Sequence, residues 1–167
     1  AEGELLVAGG VLTNSGGTTN IKSIAAGTGA GNSATMNMSG GTLNITGTIG
    51  SVPCASNCPA LRVGDFAGVG VLNQTGGTIV IGAAGVAGSM NVGNQGGTGT
   101  YNMSGGTLQL GVSGDVNSAG LYAIGRSTSD TRNSVGVMNI SGGLVDVQAG
   151  EFINADRDAA GTLAATS

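Results

Sequence analysis

The residues of this chain that could do chemistry are few: nine carboxylates, five basic side chains, two cysteines and no histidine among 167 residues. Hydrolysis of a glycosidic bond needs two carboxylates about 5 to 9.5 Å apart, and eliminative cleavage needs acids with a basic partner. The acids here are Glu2, Glu4, Asp65, Asp115, Asp130, Asp146, Glu151, Asp156 and Asp158, and they share no single column of the repeats described below. The nearest thing to a charged column is the position after a recurring Val-Gly, which runs Asp65, Asn94, Arg126, Asp156. Arg126 beside Asp156 predicts a surface ion pair worth at most about 1 kcal/mol. Asp156-Arg157-Asp158 reads as a solvated turn, and the Gly-Gly-x-Gly-x-Asp signature of calcium-binding rolls is missing. No catalytic, cofactor-binding or metal-ligating residue is expected, and the chain reads as something other than an enzyme.

Cys54 and Cys58 stand in Val52-Pro53-Cys54-Ala55-Ser56-Asn57-Cys58-Pro59. A metal site would need two further ligands and has no histidine to draw on. A redox motif would place two residues between the cysteines, not three. In an oxidising compartment the pair is expected to close one small loop as a disulfide, which adds little to the stability of the whole fold.

What would position these residues is a phrase repeated five times: Val11-Leu12-Thr13-Asn14-Ser15-Gly16-Gly17, Met36-Asn37-Met38-Ser39-Gly40-Gly41, Leu72-Asn73-Gln74-Thr75-Gly76-Gly77, Tyr101-Asn102-Met103-Ser104-Gly105-Gly106 and Met138-Asn139-Ile140-Ser141-Gly142-Gly143. The double glycines recur at intervals of 24, 36, 29 and 37 residues. A constant phrase with variable spacers is what a stacked repeat architecture tolerates, since insertions bulge from corners while strands stay paired.

Each unit resolves into three short strands. One has the form apolar-x-Val-Gly, as in Leu61 to Gly64, Met90 to Gly93 and Tyr122 to Gly125, with Leu5 to Ala8 a variant. The second bears the asparagine. The third follows the Gly-Gly corner with period-two alternation, as in Thr42-Leu43-Asn44-Ile45 and Thr107-Leu108-Gln109-Leu110, the mark of a half-buried strand. The expected fold is all-β: one parallel β-helix (β-solenoid) domain over residues 1–167, with roughly triangular coils of three strands and about five and a half rungs. Variable corner loops are expected at 47–60, 111–120 and 125–136. Leu43, Ile45, Ile79, Ile81, Leu108, Leu110, Val145 and Val147 should point inward.

In-register stacking would align Asn37, Asn73, Asn102 and Asn139 into an amide ladder, as in cross-β stacks. Ser39, Thr75, Ser104 and Ser141, with Ser15 before them, would form a hydroxyl ladder at the corner. The outward row Thr18, Thr42, Thr78, Thr107 could meet an ordered surface such as ice or a glycan, but Leu144 breaks it at the fifth unit.

Composition narrows the partners. Only 8% of residues are charged and the net charge is −4, which leaves no basic footprint for nucleic acid. No apolar run approaches the roughly 18 residues of a membrane span, so no membrane insertion is expected. Ala1 in first position fits a precursor whose signal peptide has been removed.

The phrase apolar-Asn-x-Ser-Gly-Gly-Thr-apolar-x-apolar, preceded by apolar-x-Val-Gly, resembles repeats of secreted bacterial proteins of the autotransporter-associated β-strand and PEP-CTERM surface-protein types. Met36 to Ile45 and Tyr101 to Leu110 are the nearest copies. The resemblance implies export and a place on the bacterial cell surface or in the extracellular matrix. Strands begin almost at once with Leu5-Leu6-Val7, and Thr162-Leu163-Ala164-Ala165-Thr166 reads as part of a sixth unit. Neither end offers a cap, and an open rung is a template for another chain. The expectation is therefore a structural subunit whose partner is itself, in a head-to-tail extracellular filament or biofilm-matrix layer. The alternative is a surface adhesin whose variable loops bind a glycan or another matrix protein.

Overall fold

The computed structural model describes residues 3–47, 60–118, 120–127, 133–156 and 159–165. Thirteen strands follow one another among them: β1 (Glu4–Val7), β2 (Gly10–Ile21), β3 (Ser23–Thr28), β4 (Ser33–Ile45), β5 (Leu61–Asp65), β6 (Val69–Gln74), β7 (Thr78–Ile81), β8 (Met90–Asn94), β9 (Thr98–Leu110), β10 (Gly120–Arg126), β11 (Ser134–Val147), β12 (Gly150–Asp156) and β13 (Ala159–Ala165). The described residues contain one 3₁₀ turn, Val116–Ser118, and no α-helix. The fold is all-β and its strands pair in parallel.

The chain alternates between two sheets. One has the order β1-β3-β5-β8-β10-β12 and the other β13-β11-β9-β6-β4-β2, with β7 pairing β4 and β9 beside β6. Each pass through a sheet therefore lands next to the previous one, and the repeat phrase falls in the same register each time: Leu12 pairs with Met36, Met36 with Leu72, Leu72 with Tyr101 and Tyr101 with Met138.

The second and third strands expected in each unit are joined in β2, β4, β9 and β11, which run 12 to 14 residues and bend at the double glycine. Only the β6–β7 pass is interrupted there. The bend carries a register shift, so that Ser15 pairs with Gly40 and Ser104 with Gly142. A Cβ on Gly40, Gly76, Gly105 or Gly142 would lie 2.6 Å from the carbonyl oxygen of Ser15, Ser39, Thr75 or Ser104 in the pass below. The second glycine of each pair has positive φ, as at Gly41 (74°) and Gly106 (84°), where a side chain is strained. The repeated Gly-Gly thus answers two separate demands of stacking.

A second glycine seam lies where the chain crosses between sheets. Gly70, Gly99 and Gly136 each place their missing Cβ within 2.3 Å of the backbone nitrogen of Gly64, Gly93 or Gly125. Backbones this close exclude any side chain, and the seam closes one edge of the space between the sheets.

That space is filled by Ile24, Met36, Met38, Leu43, Ile45, Leu61, Val63, Leu72, Ile79, Ile81, Met90, Val92, Tyr101, Met103, Leu108, Leu110, Tyr122, Ile124 and Met138, all buried. Burying a Leu or Ile side chain contributes about 1.5 to 3 kcal/mol, and unbranched Met fills the irregular gaps. The inward set was readable from alternation: Val145 packs against it in the column of Leu108, and Val147, in the column of Leu110, is 43% exposed at the C-terminal end, where no strand of the described residues pairs with that part of β11 on its other side. A polar pair enters the interior: Tyr101 donates its hydroxyl proton to Gln74 Oε1, and Gln74 Nε2 donates to the carbonyls of Thr107 (3.0 Å) and Gly77 (3.3 Å). Burial pushes the Tyr101 hydroxyl well above its ordinary pKa and that of Tyr122 up to about 12.

Candidate functional site

The sheet built from β1, β3, β5, β8, β10 and β12 carries the densest polar cluster of the described residues. Alternation along β5 sends Leu61 and Val63 into the space between the sheets and Arg62 to the opposite face. On a one-sided sheet Arg62 would be solvated, yet it is 1% exposed and Asp65 is 0% exposed. Arg62 Nη1 donates to Asp65 Oδ2 at 3.0 Å, and Nη2 is paired with Glu4 Oε1 on β1. Asn94 Nδ2 donates to Asp65 Oδ1 at 2.8 Å, and Asn91 Nδ2 to Asn94 Oδ1 at 2.9 Å.

A single chain, Glu4–Arg62–Asp65–Asn94–Asn91, buried except at the partly exposed Glu4, therefore ties β1 to β5 and β8. Burial pushes the Asp65 carboxyl above its ordinary 3.8, against the opposing pull of the Arg62 guanidinium and the hydrogen bonds from Asn94 and the Phe66 backbone. One guanidinium holds both carboxylates, and its charge opposes the burial that raises Asp65. Arg62 was invisible to sequence reasoning, because the x of apolar-x-Val-Gly gives no sign that the middle strands of this sheet, β3, β5 and β8, are buried on both faces.

The charged column after Val-Gly exists in the register: Asp65 pairs with Asn94, Asn94 with Arg126 and Arg126 with Asp156. Its beginning is not a surface, since Asp65 and Asn94 are buried. Among the described residues, no three His, Cys, Asp or Glu side chains are grouped to hold a metal.

The structure places the four expected asparagines in one column. Asn73 Nδ2 donates to Asn37 Oδ1 at 3.0 Å, Asn102 to Asn73 at 2.9 Å and Asn139 to Asn102 at 2.9 Å. Thr13 and Ala164 stand at the two ends of that column. A further rung, Asn44 Nδ2 to Asn20 Oδ1 at 2.8 Å, lies past the corner. The serines are brought together less simply. The register shift sets Ser15 and Ser104 opposite glycines, and Ser141 Oγ donates to the Met103 carbonyl at 3.4 Å. The corner thus presents carbonyls to glycines, with the hydroxyls of Ser39, Thr75 and Ser104 in neighbouring passes.

Thr18, Thr42, Thr78 and Thr107 pair in register and are followed by Leu144. Cys54 and Cys58 lie outside the described residues, as do Thr166 and parts of the 47–60 and 125–136 loops. In the 111–120 loop, Asp115 accepts from the backbone N–H of Gly85 (2.6 Å) and of Asn117 (2.9 Å), and these bonds hold its carboxyl below the ordinary value.

The remaining candidate is the pair of molecular ends. At one, β1 and β2 are the outermost strands, and at the other β12 and β13. Leu5, Leu12, Ile21, Ile24, Met36 and Leu43 are among the residues lining a cavity of about 140 Å³ at the first end. Leu6 is 50% exposed there, and Leu163 and Leu144 are 44% and 56% exposed at the other end. Val7 and the backbone of Ala164 and Ala165 complete these edges.

No protein-family model, curated protein or solved structure matches the chain.

Proposed function

We propose that the two parallel sheets are walls of one β-solenoid and that the protein is a structural subunit, assembling head to tail into an extracellular filament or surface layer of a bacterium. In this reading the Gly-Gly bend gives each coil its third side, and the six passes through each sheet, with β6 and β7 forming one pass, are six rungs. The role is mechanical, with itself as partner. Export and surface location rest on the resemblance of the repeat phrase to secreted bacterial surface proteins.

The observation that carries the reading is that both sheets finish at both ends in outer strands with unpartnered edges among the described residues, with lumen-facing apolar side chains exposed beside them. An edge strand offers a row of backbone donors and acceptors that another chain can pair with. Proteins that must stay monomeric blunt such edges with charge, proline or a covering helix. Here β2 and β13 carry no charged residue and no proline. Ends of unlike sequence make a heterologous contact, which propagates as an open fibre when its rotation does not close.

Leu163→Lys tests the reading. A lysine at the mouth of the lumen must be desolvated for another subunit to dock. The pelletable fraction of the purified protein is expected to fall at least tenfold, with the thermal transition of the unassembled chain kept. Wild-type protein that stays monomeric at tens of micromolar, or a variant that assembles as well as wild type, would contradict it.

A further inference from the structure

Gly16 differs from its counterparts in one respect. In the four later units the first glycine of the pair clears a carbonyl of the pass below, 2.6 Å from the missing Cβ. Gly16 belongs to the first unit, has nothing within 4 Å of its missing Cβ and has no positive φ. Among the described residues, neither sterics nor backbone conformation calls for glycine there.

A second regularity crosses the molecule. On the outer face of the second sheet one column reads Val11, Thr35, Val71, Thr100, Val137, Thr162, alternating without a break. If the next subunit continued the internal register, Thr162 would meet Val11 and the alternation would run on across the junction. The lumen-facing columns agree with this register. Leu163, last in the column of Met138 and Tyr101, would meet Leu12 at the 140 Å³ cavity, and Phe152, last in the column of Tyr122, would meet Leu5. On the opposite face of the first sheet Ile153 would meet the exposed Leu6.

Resting on the head-to-tail reading above, we propose that the junction between subunits keeps the internal strand register without slip. Thr162 of one copy pairs with Val11 of the next, Leu163 and Phe152 seal the lumen against Leu12 and Leu5, and Gly16 stays glycine to leave room for the adjoining copy. The occupant of the open end is thus a second copy of this chain in one defined register. A slip by one residue would turn Leu163 and Phe152 out of the lumen, and a slip by two would set Leu163 beside Asn14 instead of Leu12. Two contacts oppose the register and moderate its strength. Glu151 falls beside Glu4, which Arg62 already engages. Asn154 falls in the column of Val7, with its Oδ1 close to Gly161.

Gly16→Val separates folding from assembly. With open space around the missing Cβ, the variant should unfold at the wild-type temperature as an unassembled chain, while its elongation rate falls at least tenfold. A second measurement reads the register directly. Subunits carrying Val11→Cys are mixed with subunits carrying Thr162→Cys under mild oxidation, and peptide mass spectrometry identifies the cross-links. The 11–162 link is expected in most junctions, several-fold above the link formed when Thr13→Cys replaces Val11→Cys. Fibres with Gly16→Val elongating at the wild-type rate, or with the 13–162 link dominant, would overturn the register while leaving head-to-tail assembly intact. Wild-type protein that forms no fibres would overturn both.

Discussion

Gly99→Val should yield no folded protein, or a chain destabilised by more than about 4 kcal/mol, whereas Gly16→Ala should change stability by less than about 0.5 kcal/mol. A Cβ on Gly99 lies 2.0 Å from the Val63 carbonyl oxygen and 2.3 Å from the Gly93 nitrogen. Both are backbone atoms of β5 and β8, adjacent strands of the other sheet, so no rotamer change relieves the clash, and the two sheets must separate along the seam. Overpacking an ordinary core costs about 1 to 3 kcal/mol because side chains yield; here nothing flexible can. The φ of Gly99 is not positive, so the penalty is steric alone. Urea denaturation of Gly99→Ala, the milder form, measures it. A loss below about 1 kcal/mol for Gly99→Ala would mean that the backbones do not approach as described.

Arg62→Met is expected to cost about 3 to 5 kcal/mol at neutral pH, the usual result of removing one member of a buried ion pair. Stability of a domain this size is about 5 to 15 kcal/mol, so the variant would stand near its unfolding threshold. The methionine fills much of the arginine's volume, and the loss is chiefly that of the charge facing Asp65 and Glu4. Its pH dependence identifies the cause. Asp65 has a folded-state pKa raised above its ordinary 3.8, so it binds its proton more tightly folded than unfolded. Its stabilising contribution is full below the unfolded value and is lost as pH rises through the folded value. Removing Arg62 takes away the main opposing pull and widens that window upward. Arg62→Met should therefore regain stability as pH falls from 7 toward 4, and Arg62→Met combined with Asp65→Asn should lose most of this pH dependence. Chemical denaturation across that range would read both. A variant equally destabilised at pH 7 and pH 4.5 would point to lost packing in place of an unpaired carboxylate.

What could be read from the chain, and what could not, follows from which interactions repeat. The Asn37-Asn73-Asn102-Asn139 column and the inward Leu43, Ile79 and Leu108 recur once per unit at fixed distance from Gly-Gly, so alignment of the repeats was enough to stack them. Ile24-Ala25-Ala26-Gly27 belongs to the same set as Leu61 to Gly64 and pairs with it, but Ala26 in place of Val hid it. The seam of Gly70, Gly99 and Gly136 read as ordinary strand positions, since its cause is the approach of the other sheet. The serine row was only partly legible because the corner shifts register where Ser15 meets Gly40 and Ser104 meets Gly142, which no residue type announces. Arg62 was missed because its burial depends on the second face of its sheet, and a single non-repeating residue leaves no periodic trace.

The central claim is that the chain is a filament subunit continuing its own strand stacking across the junction. Cryo electron microscopy of material isolated from its source without refolding tests it most directly. Six strand layers per subunit at about 4.8 Å each give an axial repeat of about 25 to 30 Å. Continuous fibres with that repeat, an unbroken strand spacing near 4.8 Å and no gap between subunits are the predicted result. Isolated short rods, or fibres whose subunits meet side by side with both ends free, would contradict it.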